Sequence, residues 1–195
     1  MSMQAAYPVE MGIDSPLEID RWRVLQGILA IPHFIVVGIL NFAAEVVTVI
    51  MLFTTVFTGN VPENMFAFRA FVMRYQWRVY AYALFMTDQY PAFEFSGPAA
   101  DPGGYPATLS VTPPEGLSRW LWLFKGILAI PHFIALIVLG IGVYIVAAIA
   151  WLVVLVTGKW PEGMRNFVVG VIRWAMRIQA YVTFMTDVYP PFSLE

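Results

Sequence analysis

Two stretches of this chain are long, apolar and almost free of charge, and no other feature restricts its fold as much. From Val24 to Phe57 the one charged residue is Glu45, and from Gly126 to Gly158 there is none. As one straight helix, Val24–Phe57 would be about 51 Å long, against a hydrocarbon core of about 30 Å. Pro32 and Pro131 lie near the starts of the two stretches, and each removes a backbone donor. The spacing therefore predicts a kink at each proline. Residues 21–31 would lie near the membrane interface, anchored by Arg21, Trp22 and Arg23, and the remainder, to Phe57 or Val156, would span. The alternative is a tight helical hairpin turning near residues 38–41 and 140–142, with arms short for a full crossing.

Composition supports a lipid-facing protein. Hydrophobic residues make up 59% of the chain and charged residues 12%, whereas a soluble domain carries about 25% charge. So little charge cannot clothe a water-facing surface. Seven Trp and nine Tyr suit the membrane–water boundary. A net charge of −2 without a basic run argues against a nucleic-acid partner. The absence of cysteine excludes disulfides, thiolate metal sites and cysteine nucleophiles. No positive segment and apolar core precede Trp22, so no cleaved signal peptide is expected.

The chain is internally duplicated. Residues 27–35, GILAIPHFI, recur unchanged as residues 126–134, and Phe85-Met86-Thr87-Asp88 recurs as Phe184-Met185-Thr186-Asp187. The same offset of 99 relates Arg74 to Arg173, Arg78 to Arg177, Tyr82 to Tyr181, and Tyr90-Pro91 to Tyr189-Pro190. Near the unit starts the offset is 98, matching Arg21-Trp22 to Arg119-Trp120. The units are residues 7–95 and 105–194, joined by a Gly/Pro-rich linker at 96–104.

The fold class this predicts is mainly α and integral to the membrane, in two tandem repeats. Each repeat has a short opening strand, a long Pro-kinked apolar helix, a second Arg-bearing aromatic helix and a short closing strand. Val9, Met11 and Ile13 alternate as a strand does. The opening and closing strands of a unit could pair with each other outside the lipid, which would put both ends of a unit on one side. Gly59 and Gly158 suit helix C-caps. Pro62-Glu63 and Pro161-Glu162 suit the next helix start.

The GILAIPHF block, the Arg-x-x-x-Arg-x-x-x-Tyr helix and the closing Thr-Asp-x-Tyr-Pro-x-Phe resemble a group of bacterial membrane proteins. That family is catalogued as domain of unknown function 4389. The resemblance covers both repeats. It implies a bacterial membrane protein and brings no activity or catalytic residues with it.

Candidate chemistry is sparse. Arg74, Arg78 and Tyr82 share a helix face, repeated as Arg173, Arg177 and Tyr181. Either this helix lies flat with its arginines reaching lipid phosphates, or it spans with them pointing into the bundle. In the second case a turn near residue 60 puts Glu45 at a depth between Arg74 and Arg78, a possible ion pair. Tyr144 stands at the equivalent of Glu45, so that pair would not be duplicated. His33 and His132 are the two histidines and are equivalent by repeat. They could bind one haem axially or share a metal, or each could satisfy backbone groups freed by the preceding proline. Asp88 and Asp187 suit helix ends turning into the closing segments. No Ser/His/Asp arrangement or phosphate-binding glycine motif recommends itself.

These observations favour a non-enzymatic membrane protein, an accessory or scaffold subunit contacting lipids and other membrane subunits or copies of itself. The alternatives are a small transporter or channel at the repeat interface, and a haem-binding or lipid-modifying protein. The expected location is the bacterial cytoplasmic membrane, multi-pass. Arg21, Arg23, Arg119 and Lys125 at the unit starts, against Lys159 and Arg165 in the connecting turns, point to cytoplasmic termini.

Overall fold

The computed structural model describes residues 7–195; residues 1–6, part of the segment in which no cleaved leader is expected, lie outside the described residues. The elements are β1 (Val9–Ile13), α1 (Gln26–Leu29), α2 (Ile31–Thr58), α3 (Glu63–Ala83), β2 (Ala107–Val111), α4 (Trp122–Thr157) and α5 (Glu162–Val182), with a 3₁₀ turn at Arg21–Leu25 before α1.

Each long apolar stretch is one helical run, so neither folds back as a hairpin. In the first copy the helix is interrupted at Ala30, two residues before Pro32, as the missing proline N–H predicts. In the second copy α4 is continuous, with Pro131 inside it. Gly59 and Gly158 cap α2 and α4 in the left-handed conformation, φ 76° and 71°, and their N–H groups donate to Thr55 and Val154. Pro62 and Pro161 occupy the N-caps of α3 and α5, with Glu63 and Glu162 opening the helices.

The opening strands pair with each other across the repeats, not with the closing segments of their own units. β1 and β2 form an antiparallel ribbon in which Met11 faces Leu109, its own equivalent at the offset of 98. A pseudo-twofold axis therefore passes through the ribbon. The expected closing strands are a further correction: 90–95 and 189–194 are irregular. Their aromatic residues pack against the long helices instead, Phe93 on His33 of α2 and Phe192 on His132 of α4.

Other contacts obey the same axis. The Ile19 N–H donates to the Gly158 carbonyl at 2.8 Å, and the Leu117 N–H to the Gly59 carbonyl at 2.8 Å. The segment between the opening strand and the first helix of each copy is thus docked on the interhelix turn of the other. The Trp151 indole N–H also donates to the Val24 carbonyl at 3.1 Å. The end of α4 consequently lies beside the start of α1, and α2 and α4 run antiparallel. The unit starts, Arg21 and Arg119, stand at opposite ends of the helix array. The charge count that pointed to cytoplasmic termini loses its basis, because Lys159 and Arg165 share an end with Arg21 and Arg23.

The molecule has three layers along the axis. The ribbon and the linker form the first, α3 and α5 the second, α2 and α4 the third, and the closing segments reach from the first to His33 of α2 and His132 of α4. The middle layer holds the core: Phe66, Met73, Trp77, Val168, Met176 and Ala180 are all buried. The Trp77 indole N–H donates to the Gly12 carbonyl at 3.0 Å, tying this layer to the ribbon. α3 and α5 both end on a phenylalanine with positive φ, Phe85 at 48° and Phe184 at 62°. The following N–H groups, of Met86 and Met185, close back on Ala81 and Ala180 in the manner of a Schellman cap. Phe85 then stacks on Trp160 of the other copy at 5.1 Å between centroids, an offset for the left-handed backbone.

Candidate functional site

The repeated arginines serve as brackets for the first layer. Arg74 Nη2 donates to the Pro98 carbonyl at 2.9 Å and Nη1 to the Ala100 carbonyl at 3.2 Å. Arg78 Nη2 donates to Asp101 at 3.1 Å, Glu94 stands at 3.6 Å from Nη1, and its guanidinium lies 5.2 Å from the Tyr105 ring centroid. In the second copy Arg173 donates to the Met11 carbonyl at 3.1 Å and the Leu194 carbonyl at 3.0 Å, and Arg177 lies 5.6 Å from the Tyr7 ring centroid. A planar guanidinium with five donors suits several backbone acceptors at once. These arginines are aimed at the linker, the ribbon and the closing segments. Tyr82 and Tyr181 meet Tyr90 and Tyr189 edge-on at 5.3 and 5.7 Å.

Tyr7 and Tyr105 lock the exchange. The Tyr7 hydroxyl donates to the Val188 carbonyl at 3.1 Å, and the Tyr105 hydroxyl to the Gln89 carbonyl at 2.6 Å. Burial raises both phenols above their ordinary range, although Arg177 beside Tyr7 and Arg78 beside Tyr105 act in the opposite direction.

Each histidine is sealed in an aromatic box of its own repeat. His33 has no exposed surface. Its Nδ1 meets the Tyr75 hydroxyl at 2.6 Å, and Phe93 stacks on it at 4.2 Å. His132 is equally buried, Phe192 stacks on it at 3.9 Å, and the Trp174 indole N–H donates to its Nδ1 at 3.0 Å. An indole N–H can only donate. His132 Nδ1 is therefore the acceptor, and the neutral ring carries its proton on Nε2. A metal-binding histidine has the opposite arrangement, an Nδ1–H donor and a free Nε2 lone pair. This argues against the haem or shared-metal reading at His132; at His33 the Tyr75 hydroxyl can donate or accept, so its contact fixes no tautomer. Among the described residues no group of three or more His, Asp or Glu could hold a metal ion.

Asp88 accepts from Arg23 at 3.1 Å. Asp187 pairs with Lys125 at 2.8 Å and accepts the Ser118 N–H at 2.6 Å. Both carboxylates thus fasten the segment after the second helix to the start of their own unit.

Glu45 does have an arginine partner, but neither Arg74 nor Arg78. It pairs with Arg69 Nη2 at 3.1 Å. Arg69 escapes a reading built on repetition, because its equivalent in the second copy is Val168. The arginine side chain is 1% exposed and the carboxylate 63%. Arg69 Nε and Nη1 are buried without a partner. The pair lies in a cavity of about 350 Å³ between the repeats, lined also by Thr48, Phe133, Gln179 and Thr183. A second, apolar cavity of about 420 Å³, lined by Phe34, Tyr80, Leu84, Gly140, Tyr144 and Ala147, adjoins it. Leu136 and Ala175 line both.

Searches of characterised proteins found no match to this chain. Searches of solved structures likewise found none. One family model matches it in two tandem copies, at residues 23–94 and 119–193, and the chain belongs to that family, described as Domain of unknown function (DUF4389).

Proposed function

We propose that this chain is a non-enzymatic membrane protein that works through contacts with lipid and with partner subunits. The observation that carries the reading is the exposure of its most apolar elements. The apolar window of α4 has a mean hydropathy of 2.8 and is 6% buried, and that of α2 has 2.3 and is 28% buried. A core helix of a water-soluble protein is mostly buried. Ile35, Ile39, Phe42, Val46, Val49 and Phe53 leave α2 open along its length, and Ile130, Ile134, Ile137, Ile141, Ile145 and Leu152 do the same for α4. An apolar surface of that extent needs lipid or another protein over it. The non-enzymatic part rests on commitment of the reactive groups: the histidines are boxed, and the repeated arginines hold loops.

The topology favours helices lying along one leaflet. α2 is about 42 Å long and α4 about 54 Å at 1.5 Å per residue. Because the two are antiparallel, residues 84–121 must run the full length of the array from the end of α3 to the start of α4. That segment exposes Pro98, Pro102, Gly103 and Gly104 and is mostly without regular structure. Irregular backbone facing lipid is not viable, since each unsatisfied group costs several kcal/mol. With the pseudo-twofold along the membrane normal, α2 and α4 enter the lipid and the ribbon and linker face water. The multi-pass arrangement expected from sequence would need a partner to cover that segment.

Washing native membranes at alkaline pH tests the membrane assignment. The account expects the chain to stay in the pellet, and its release into the wash would refute it. Purification in mild detergent tests the accessory role. A stoichiometric protein partner is expected, and isolation with none would overturn that role.

A further inference from the structure

We infer that the groove between the repeats is a binding site for one zwitterionic phospholipid, its phosphate on Arg69, its ammonium on Glu45 and an acyl chain in the adjoining apolar half. This inference deepens the membrane reading above and rests on it.

The pseudo-twofold makes the two cavities internal controls for each other. Phe34 in one corresponds to Phe133 in the other, and Ala83 to Val182, so both arise from the same surfaces. Their polarity has diverged in one direction. Glu45, Thr48, Arg69, Gln179 and Thr183 stand where the repeat equivalents are Tyr144, Ala147, Val168, Tyr80 and Leu84. Four of these equivalents, Tyr144, Ala147, Tyr80 and Leu84, line the second cavity, and the fifth, Val168, is buried in the core. A core that needed only packing would have no use for a buried arginine here.

Arg69 is incompletely satisfied, and Glu45, its one partner, is largely exposed. Arg69 offers Nε and Nη1 from a side chain 1% exposed. An unpartnered guanidinium nitrogen in such a place is costly, and an oxyanion is its natural complement. Glu45 sits mid-way along the lipid-facing α2 between exposed Phe42, Val46 and Val49. A carboxylate on an apolar helix face calls for a cation. The pair itself is neutral, so a purely anionic ligand would meet repulsion from Glu45. A headgroup carrying phosphate and ammonium satisfies both ends. The two cavities, about 350 and 420 Å³, are of the size of ligand pockets. Their shared wall of Leu136 and Ala175 puts the apolar half beside the headgroup half.

The test is native mass spectrometry of the full chain, extracted in detergent and titrated with phosphatidylethanolamine or phosphatidic acid of the same chains. One phosphatidylethanolamine should bind at least tenfold tighter than phosphatidic acid. Arg69→Gln should abolish saturable binding of either lipid, and Glu45→Gln should erase the preference. Gly140→Leu serves where the arginine variant fails to fold. A Cβ at Gly140 meets nothing within 4 Å, so the side chain fills open groove. It should weaken binding of long-chain lipid at least tenfold and leave short-chain lipid unchanged. Equal or tighter binding of phosphatidic acid, several equivalent lipids with no saturation, or indifference to Gly140→Leu would overturn the inference. Failure of the membrane reading is distinguishable, because the protein would then appear in the alkaline wash.

Discussion

Arg74 and Arg173 are structural brackets on this account, and that is measurable at the linker. Arg74→Met keeps the length of the stem and removes the guanidinium. The carbonyls of Pro98 and Ala100 lose bonds of 2.9 and 3.2 Å. A hydrogen bond to a charged donor contributes about 1.5–3 kcal/mol. The linker is partly exposed, so its freed carbonyls recover some of this from water. Discounting for that, the linker should open more readily by about 2–4 kcal/mol. At 1.4 kcal/mol per factor of ten, this is about 30- to 700-fold in the open population. Proteolysis reads that population when opening is fast relative to cutting. A protease that cuts after small residues, at Ala99 or Ala100, should therefore cleave Arg74→Met that much faster in detergent. Arg74→Lys should fall between, because an ammonium keeps the charge but not the planar fork. Cleavage within threefold of the parent chain would refute the bracket and return the arginines to lipid phosphates.

Further expectations concern separate parts of the fold. A Cβ at Gly170 would lie 2.7 Å from the Leu194 carbonyl oxygen. Gly170→Ala should thus destabilise by about 1–3 kcal/mol, whereas Gly140→Ala should stabilise by about 0.5–1 kcal/mol; equal effects in chemical unfolding would contradict the packing. Nitrogen NMR of His132 should report the proton on Nε2, and a proton on Nδ1 would reopen the ligand reading. Tyr7 and Tyr105 have folded pKa values above the unfolded one, so their contribution is full below about pH 10 and is lost as pH rises further. Replacing both by Phe should flatten the alkaline fall in stability; an unchanged slope would count against their burial.

The helices were legible because their signals are local. Gly59, Gly158, Pro62 and Pro161 punctuate the chain, and apolar runs of that length argue for long helices. The pairing of the two opening strands was not legible, since β1 alternation records that Val9 and Met11 are buried, not which strand they meet. The two prolines differ in their outcome: the helix is interrupted before Pro32 and runs on through Pro131. Duplication exposed the residues both copies share, the histidines and the bracket arginines. The same filter hid Arg69, whose value lies in being different from Val168. On the proposed lipid site, the divergence of the two repeats lies at such mismatched positions.

The orientation in the membrane is the central claim, and the absence of cysteine makes it directly measurable. Single cysteines at Glu63, Glu162 and Thr108 are each exposed. Glu63 and Glu162 are repeat equivalents at opposite ends of the helix array, and Thr108 lies on the ribbon. A membrane-impermeant maleimide applied to sealed vesicles should label all three from the same side if α2 and α4 lie along one leaflet. Labelling of Glu63→Cys and Glu162→Cys from opposite sides would contradict the account and make the long helices true spans.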